Sequence, residues 1–292
     1  MTSEKEEITV VIISHRSEKK IIKFIKNFSK KRQIIIIDNS NDLNLKKKLQ
    51  NYTNIKLFFM PNKGYGAAIN FARQKIDTRF FFVFSPDIIG VDENFINKFD
   101  EQINTNIKFG AMGPRFKNVK EKSHKQSDVN KKLGEIYSIS GSAILLDKET
   151  FDHIGAFDEN FFLFFEESDF CKRAKKKQFK IYQLNNAIVE HPKNDSDGVV
   201  STDSPEQRKE LKNFYSWHFM WSKYYFFKKH YNWLIVFLYT ASTYLRILTR
   251  VVFCVITRNE DKTKKYKSRF DGFISSVNKK KSYKRLAVKD KN

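Results

Sequence analysis

Short motifs carry the residue types that could do chemistry: Asp38-Asn39-Ser40, Asn62-Lys63-Gly64-Tyr65-Gly66, Ser85-Pro86-Asp87 and Glu166-Glu167-Ser168-Asp169, with His191 in Val189-Glu190-His191-Pro192. A carboxylate can take a proton from an attacking hydroxyl, accept a ring imide N–H, or offer oxygen to a hard cation. Gly64 and Gly66 stand where an apolar run gives way to a helical pattern, so the backbone there can approach a diphosphate closely with free N–H groups. A histidine can ligate a cation or donate to a phosphate. Each motif also has an ordinary structural use. Asp-Asn-Ser and Pro-Asp are turn and cap sequences, Gly-x-Gly serves tight packing, and acids at a helix start complement its dipole.

The elements that must position these residues read as an α/β fold. Val10 to Ile13 and Ile34 to Ile37 are continuous β-branched runs, as expected of strands buried on both faces of a parallel sheet. Between them Ile21, Ile22, Phe24, Ile25 and Phe28 recur at helical spacing. The alternation continues with a strand over 55–60, a helix over 67–75, a strand over 80–84 and a helix over about 92–104. An open, doubly wound sheet follows, and ligands of such sheets bind beyond the carboxyl ends of the strands. Asp38, Asn62 and Ser85-Pro86-Asp87 all fall at such ends. Residues 117–132 read as a polar surface loop, 139–146 as an apolar stretch, 168–177 as a helix, 179–184 as a late strand and 193–205 as a second polar loop.

Taken in order, Ser14-His15, Asp38-Asn39-Ser40, Asn62-Lys63-Gly64-Tyr65-Gly66-Ala67-Ala68-Ile69-Asn70, Ser85-Pro86-Asp87, Gly155-Ala156-Phe157-Asp158-Glu159 and Phe164-Phe165-Glu166-Glu167-Ser168-Asp169 resemble glycosyltransferase family 2. The likeness covers about residues 8–192 and leans toward the rhamnosyltransferase-like members that build bacterial surface polysaccharides. It implies a GT-A type, Rossmann-like mixed sheet that is mostly parallel, and an inverting hexosyltransferase using a dTDP- or UDP-sugar and a glycan or lipid-linked acceptor. Nucleotide-sugar binding is then carried over to Ser14, His15, Asp38, Asn62, Gly64, Gly66, Asn70, Ser85, Gly141 and Ser142, with Asp38 accepting the imide N–H of uracil or thymine. Asp87 and His191 take the place of the ligands for a divalent cation, Mg²⁺ or Mn²⁺. Ser85 replaces the first acid of the family's D-x-D motif, which leaves one carboxylate there. Glu167 falls on the catalytic base, where the family usually has Asp, with Glu166 and Asp169 in reserve.

Bulk properties narrow the field. With 55 Lys and Arg against 33 Asp and Glu, the formal charge is +22, which favours anionic partners. The 29 Phe and 40% hydrophobic content exclude wholesale disorder. Cys171 and Cys254 have no metal-ligand spacing, and the polar N-terminus lacks a signal-peptide pattern, so a cytoplasmic location is expected. The catalytic domain is assigned to 1–212. Residues 213–292 form an aromatic and basic helical extension in which 231–245 is uncharged while Arg246 and Arg250 interrupt a full span. An interfacial helix on an anionic cytoplasmic leaflet suits that pattern better than a transmembrane one. Two other readings stay open: a catalytically degenerate scaffold, motivated by Ser85 and Glu167, and a basic nucleic-acid-binding protein. The second lacks any recognisable nucleic-acid-binding signature, so no specific nucleic-acid partner is expected.

Overall fold

The computed structural model describes residues 7–117, 119, 126–191 and 204–286. The first half alternates β1 (Ile8–Ser14), α1 (Glu18–Ile25), β2 (Ile34–Asp38), α2 (Leu43–Leu49), β3 (Ile55–Phe59), α3 (Tyr65–Arg73), β4 (Phe80–Phe84) and α4 (Glu93–Ile103). There follow β5 (Ala111–Phe116), β6 (Leu133–Glu135), β7 (Ala143–Asp147), α5 (Lys148–Ile154), α6 (Glu166–Lys176) and β8 (Ile181–Val189). All eight strands join one sheet in the order β3-β2-β1-β4-β7-β5-β8-β6. β1 lies parallel between β2 and β4, with Ser14 opposite Asp38, while β7 runs antiparallel to β4 and β5.

Every residue of β1, β2, β4 and β7 is buried, because helices cover both faces of the sheet. One face packs Phe82 and Phe84 against α4, with the Phe82 and Phe99 rings edge to face at 4.7 Å. The other packs Phe81 edge to face on Phe151 of α5 at 5.5 Å. The mixed, mostly parallel sheet expected from the sequence is thus present. Two strands were not anticipated. β5 contains Gly113 and Pro114, weak strand formers, and its register against β8 shifts at Pro114/Arg115, where proline has no N–H to give the ladder. β6 has three residues, too few for any periodicity.

The described residues divide into two compact units, 7–158 with 167–191, and 159–166 with 204–286. The second therefore begins ahead of residue 213 and takes in the phenylalanine-rich run from the middle of the chain. Its helices are α7 (Pro205–His230), α8 (Trp233–Ile256) and α9 (Glu260–Val277). α7 starts at a capping box: Ser204 accepts from the Gln207 N–H and Gln207 accepts from that of Ser204, with Pro205 in the first turn. α7 and α9 approach so closely that a Cβ on Gly272 would lie 2.3 Å from the Trp217 carbonyl oxygen. The Trp217 indole N–H also donates to Asp271 at 2.7 Å. α8 is long and apolar enough to cross a membrane by length and composition. Leu234, Leu238, Leu245, Val252 and Ile256 point outward along one exposed side of it.

Residues 159–166 lie along one side of α7. Phe161 meets Tyr225, Phe164 meets Tyr215 and Phe219, Phe165 meets Phe226, and Ser222 Oγ donates to the Leu163 carbonyl at 2.7 Å. Phe162 is sandwiched between the His218 ring, stacked at 4.8 Å, and the Arg285 guanidinium, 3.8 Å from its centroid. His218 ties the tail to α7. Its Nε2 must carry the hydrogen, because its partner at 2.9 Å is the Lys284 carbonyl, which leaves Nδ1 to accept from Ser282 Oγ.

Burial, reinforced by the nearby charges of Arg285 and Lys284 and only partly opposed by the Lys284 hydrogen bond, lowers the His218 pKa from 6.5 to about 4. A depressed histidine contributes stability above its unfolded pKa and loses it as pH falls. Denaturation followed through Trp217, Trp221 and Trp233, all in this unit, should therefore show about 3 kcal/mol lost between pH 6.5 and 4 in this unit. His218→Gln should abolish that dependence while lowering stability at pH 7.

Candidate active site

The carboxyl ends of β1, β2 and β3 are laced together by side chains. Asp38 is fully buried, and its oxygens accept from Ser14 Oγ at 2.8 Å, the Ser40 N–H at 3.0 Å, Ser40 Oγ at 2.9 Å and the Asp42 N–H at 3.1 Å. These donors occupy about the four acceptor directions that a carboxylate has. Asp38 thus anchors the β2 turn from inside. Outside it, His15 Nδ1 meets Asn39 Oδ1 at 2.7 Å, Asn39 Nδ2 donates to Asn62 Oδ1 at 3.4 Å, and the Gly64 N–H donates to the same oxygen at 3.3 Å. Because the Asn39 oxygen faces the ring, Nδ1 carries the hydrogen and Nε2 is left as the acceptor. Desolvation lowers the His15 pKa, against the opposing pull of the Asn39 hydrogen bond and the Asp38 charge, so the ring is neutral near pH 7.

Gly64 caps α3 at φ +112° and ψ 169°, a region essentially closed to other residues, and no side chain caps this helix. Its first-turn N–H groups thus have no side-chain acceptor at the cap. Gly66 is buried in that turn. The Asn70 amide donates to the Phe157 carbonyl at 2.9 Å and accepts from the Phe157 N–H at 3.0 Å, so it splices α3 to the 155–158 turn. Tyr65 Oη donates to the Gly141 carbonyl at 2.8 Å, and the Ser85 N–H donates to the Ser142 carbonyl at 2.9 Å. Ser140 to Ser142 are thereby fixed between the ends of β4 and α3.

Asp87 follows β4, and a β-bridge between Ile89 and Glu190 brings the chain after β8 alongside it. Both backbone hydrogen bonds of that bridge are 2.9 Å. As a result His191 Nε2 stands 3.5 Å from Asp87 Oδ1, an oxygen that is buried and accepts no hydrogen bond. Lys20 Nζ of α1 lies 3.8 Å from the other oxygen. Lys20 carried no motif signal, since it is one of many lysines on helical faces. Among the described residues no group of three His, Cys, Asp or Glu could hold a metal ion. Asp87 and His191 fit a cation as a two-residue half-shell: an anionic oxygen without a donor beside an imidazole nitrogen, the rest to come from water and ligand.

The acidic motif opens α6. Asp169 is fully buried and pairs with Arg173 at 2.8 Å, and Arg173 also donates to the Ile154 carbonyl at 3.0 Å and to that of Ala156. Asp169 is thus a structural anchor of α6. Glu166 is 6% exposed, whereas Glu167 is partly exposed, with its Cβ 3.9 Å from the position a Gly141 side chain would take. Of the three acids, Glu167 is the partly exposed one, beside the Gly141 turn. Phe164 and Phe165, just before them, both hold φ +68°, a strained conformation for bulky residues. The second polar loop expected at 193–205 falls, through residue 203, outside the described residues, as do 118 and 120–125 of the loop at 117–132.

The profile described as Glycosyl transferase family 2 matches residues 9–168, more than half of the chain. The chain belongs to this family. It is also 21% identical over 204 residues to the low-salt glycan biosynthesis hexosyltransferase Agl10 of Haloferax volcanii, across 61% of this chain and 64% of that protein, somewhat under two thirds of its length. Solved structures share the fold. S. aureus TarS 1-349 in complex with UDP-GlcNAc superposes with a TM-score of 0.54 at 15% identity, covering 97% of this chain and 95% of that one. The Pyrobaculum calidifontis mannosyltransferase PcManGT, in complex with GDP-Man and Mn²⁺, gives 0.52 at 10% identity, covering 93% and 87%. The mixed sheet with its helices matches the GT-A type fold of these structures.

The geometry separates anchors from reactive groups by stability. Arg173→Ala removes the ion-pair partner of the buried Asp169 and should cost about 3 kcal/mol in denaturant unfolding. Glu167→Gln, at a partly exposed position, should change stability by less than about 0.5 kcal/mol.

Proposed function

We propose that this family 2 member is an inverting glycosyltransferase that moves a sugar, rhamnose or a related hexose, from a dTDP- or UDP-activated donor to a glycan or lipid-linked acceptor. The observation that carries the proposal is the pairing of Asp87 with His191 across the Ile89–Glu190 bridge. It gives one end of the cleft an anionic and an imidazole ligand, and Glu167 beside Gly141 supplies a partly exposed carboxylate. The structures of PcManGT with Mn²⁺ and of TarS with UDP-GlcNAc support a cation and a nucleotide-sugar donor on this fold.

In this reading Asp87 and His191 hold a divalent cation, Mg²⁺ or Mn²⁺, which when bound neutralises charge developing on the departing nucleoside diphosphate. Lys20 adds a positive charge at the same place. The uncapped first turn of α3 faces its N–H groups toward the diphosphate. Glu167 takes the proton of the acceptor hydroxyl as its oxygen bonds to the anomeric carbon, and the bond to the diphosphate breaks in the same displacement, inverting the centre. The neutral His15, with Nε2 placed to accept, contributes an imide N–H contact beside Asp38, while Asn39 and Asn62 hold its ring in place. The helical extension, with the outward apolar side of α8 and its basic neighbours, rests on an anionic lipid surface and keeps the enzyme peripheral on the cytoplasmic face.

A thermal-shift panel of dTDP-, UDP- and GDP-sugars with and without Mn²⁺ checks the donor, with Mn²⁺-dependent stabilisation by a pyrimidine nucleotide expected. Indifference to every pyrimidine nucleotide would sink the assignment. With the responding donor, Glu167→Gln and Asp87→Ala should each lower kcat by about 10²- to 10⁴-fold. His15→Phe should raise KM for the donor with kcat little changed. Unaltered transfer by the Glu167 variant would move the base elsewhere.

A further inference from the structure

The helical unit contains a cavity of about 180 Å³ between α7, α8 and α9 that the transfer chemistry does not use. Lys223, Arg246, Arg250 and Arg269 line it, together with Thr243 and Tyr266, and no acidic side chain does. Among the described residues none of the four cations has a carboxylate within salt-bridge distance. Their contacts are neutral ones. Lys223 donates to Thr243 Oγ1 at 3.2 Å, Arg250 donates to Tyr266 Oη at 2.9 Å, and the Arg250 and Arg269 guanidiniums lie 5.5 and 6.0 Å from the Tyr266 ring. Arg269 Nε is buried and has no hydrogen-bond partner.

Four like charges converging on one partly open pocket repel one another, and Lys223 and Arg269 are also partly buried, so the arrangement is costly to form unless an anion completes it. The strain registers on Lys223, whose pKa is lowered by burial and then by facing Arg246 and Arg269. Arginine suits phosphate better than other anions, because its planar fork can donate two parallel hydrogen bonds to two oxygens.

The position of the cavity points to where that phosphate comes from. Arg246 and Arg250 are one turn apart on α8 and share its inner stripe with Thr243 and Ile247. The opposite stripe, Leu234, Leu238, Leu245, Val252 and Ile256, is 49%, 63%, 61%, 51% and 73% exposed. A helix lying in the interface of a bilayer would sink that stripe among acyl chains and hold its inner stripe at headgroup depth.

We propose that this cavity is a binding site for the phosphate headgroup of an anionic membrane lipid, clasped by Arg246, Arg250, Arg269 and Lys223. It rests on the helical extension meeting a lipid surface, as proposed above, and adds a built pocket to what would otherwise be diffuse attraction. Diffuse attraction depends on charge alone, whereas a clasp depends on the guanidinium fork, so charge-conserving substitutions tell them apart.

The test is co-sedimentation of the full chain with vesicles of phosphatidylcholine alone and of phosphatidylcholine with phosphatidylglycerol. The variants are Arg246→Lys/Arg250→Lys and, at the exposed positions of α9, Lys264→Gln/Lys265→Gln, each checked for wild-type circular dichroism and tryptophan emission. The expected result is binding to the anionic vesicles, weakened about tenfold by the arginine-to-lysine pair despite unchanged charge. The exposed pair should lose about fivefold per charge removed, the generic electrostatic share. Equal binding by wild type and the arginine-to-lysine variant would overturn the cavity while leaving the membrane reading standing. No binding by wild type to either vesicle would remove the membrane reading and this one with it. Thermal stabilisation by glycerol 3-phosphate that is lost in the arginine-to-lysine variant, with vesicle binding the same in both, would assign the cavity to a soluble phosphate and overturn the lipid source.

Discussion

A buried carboxylate underlies the architecture of the site. Asp38 closes β2 opposite Ser14 of β1 and gathers the hydroxyls and amides of Ser14, Ser40 and Asp42 around it. A carboxyl group at zero exposure is tolerated only when its polar atoms are hydrogen-bonded, and satisfying them fixes where the chain leaves both strands. His15 and Asn39 are the residues those exits deliver, and Asn62 and Gly64 join them through hydrogen bonds. Deleting the carboxylate would leave its donors without acceptors and release the rim, so loss of activity in an Asp38 variant says nothing by itself about ligand contact.

The same division of labour recurs at the acidic motif. Asp169 and Arg173 spend their charges on each other and on the carbonyls of Ile154 and Ala156, which sets the first turn of α6. Glu167, two residues earlier in that turn, is a partly exposed residue. On the other side of the motif α7 grips residues 161–165 by their rings, and the backbone reaches Glu166 through two consecutive positive φ angles. Strain of this kind persists only where surrounding contacts over-determine the conformation. Ring stacking on Phe161, Phe162, Phe164 and Phe165 provides those contacts.

Much of the sheet was legible because β1, β2 and β4 are unbroken apolar runs, a pattern that burial on both faces imposes. The polar strand ends were legible for the complementary reason, since hydrophilic residues immediately after such a run must face the open edge. Which of those residues turn inward was not. Asp38 and Asn70 have the composition of ligand-binding groups, and their commitment to Ser14, Ser40 and Phe157 depends on partners brought together by sheet pairing and helix packing. Asp169 could have been read as an anchor from Arg173 four residues on, a spacing that pairs charges on one helical face. The phenylalanine-rich run gave no periodic signal because its partner, α7, lies some fifty residues further along. The cationic cavity is equally invisible in a lysine-rich chain, where three arginines and a lysine from three helices look like ordinary surface charge.

The bridge between Ile89 and Glu190 also has a bearing on assembly. Its two residues are separated by about a hundred positions, and β5, β6 and β7 all intervene in sequence. Loops of that size close late, after local helices and neighbouring strands have paid their ordering cost. A ribosome-bound chain would therefore carry the strand-end network of His15, Asn39 and Asn62 well before Asp87 acquired its imidazole. The strand-end network would ripen first and the Asp87–His191 pairing last, so the cleft would be completed only when the chain beyond β8 had joined the sheet.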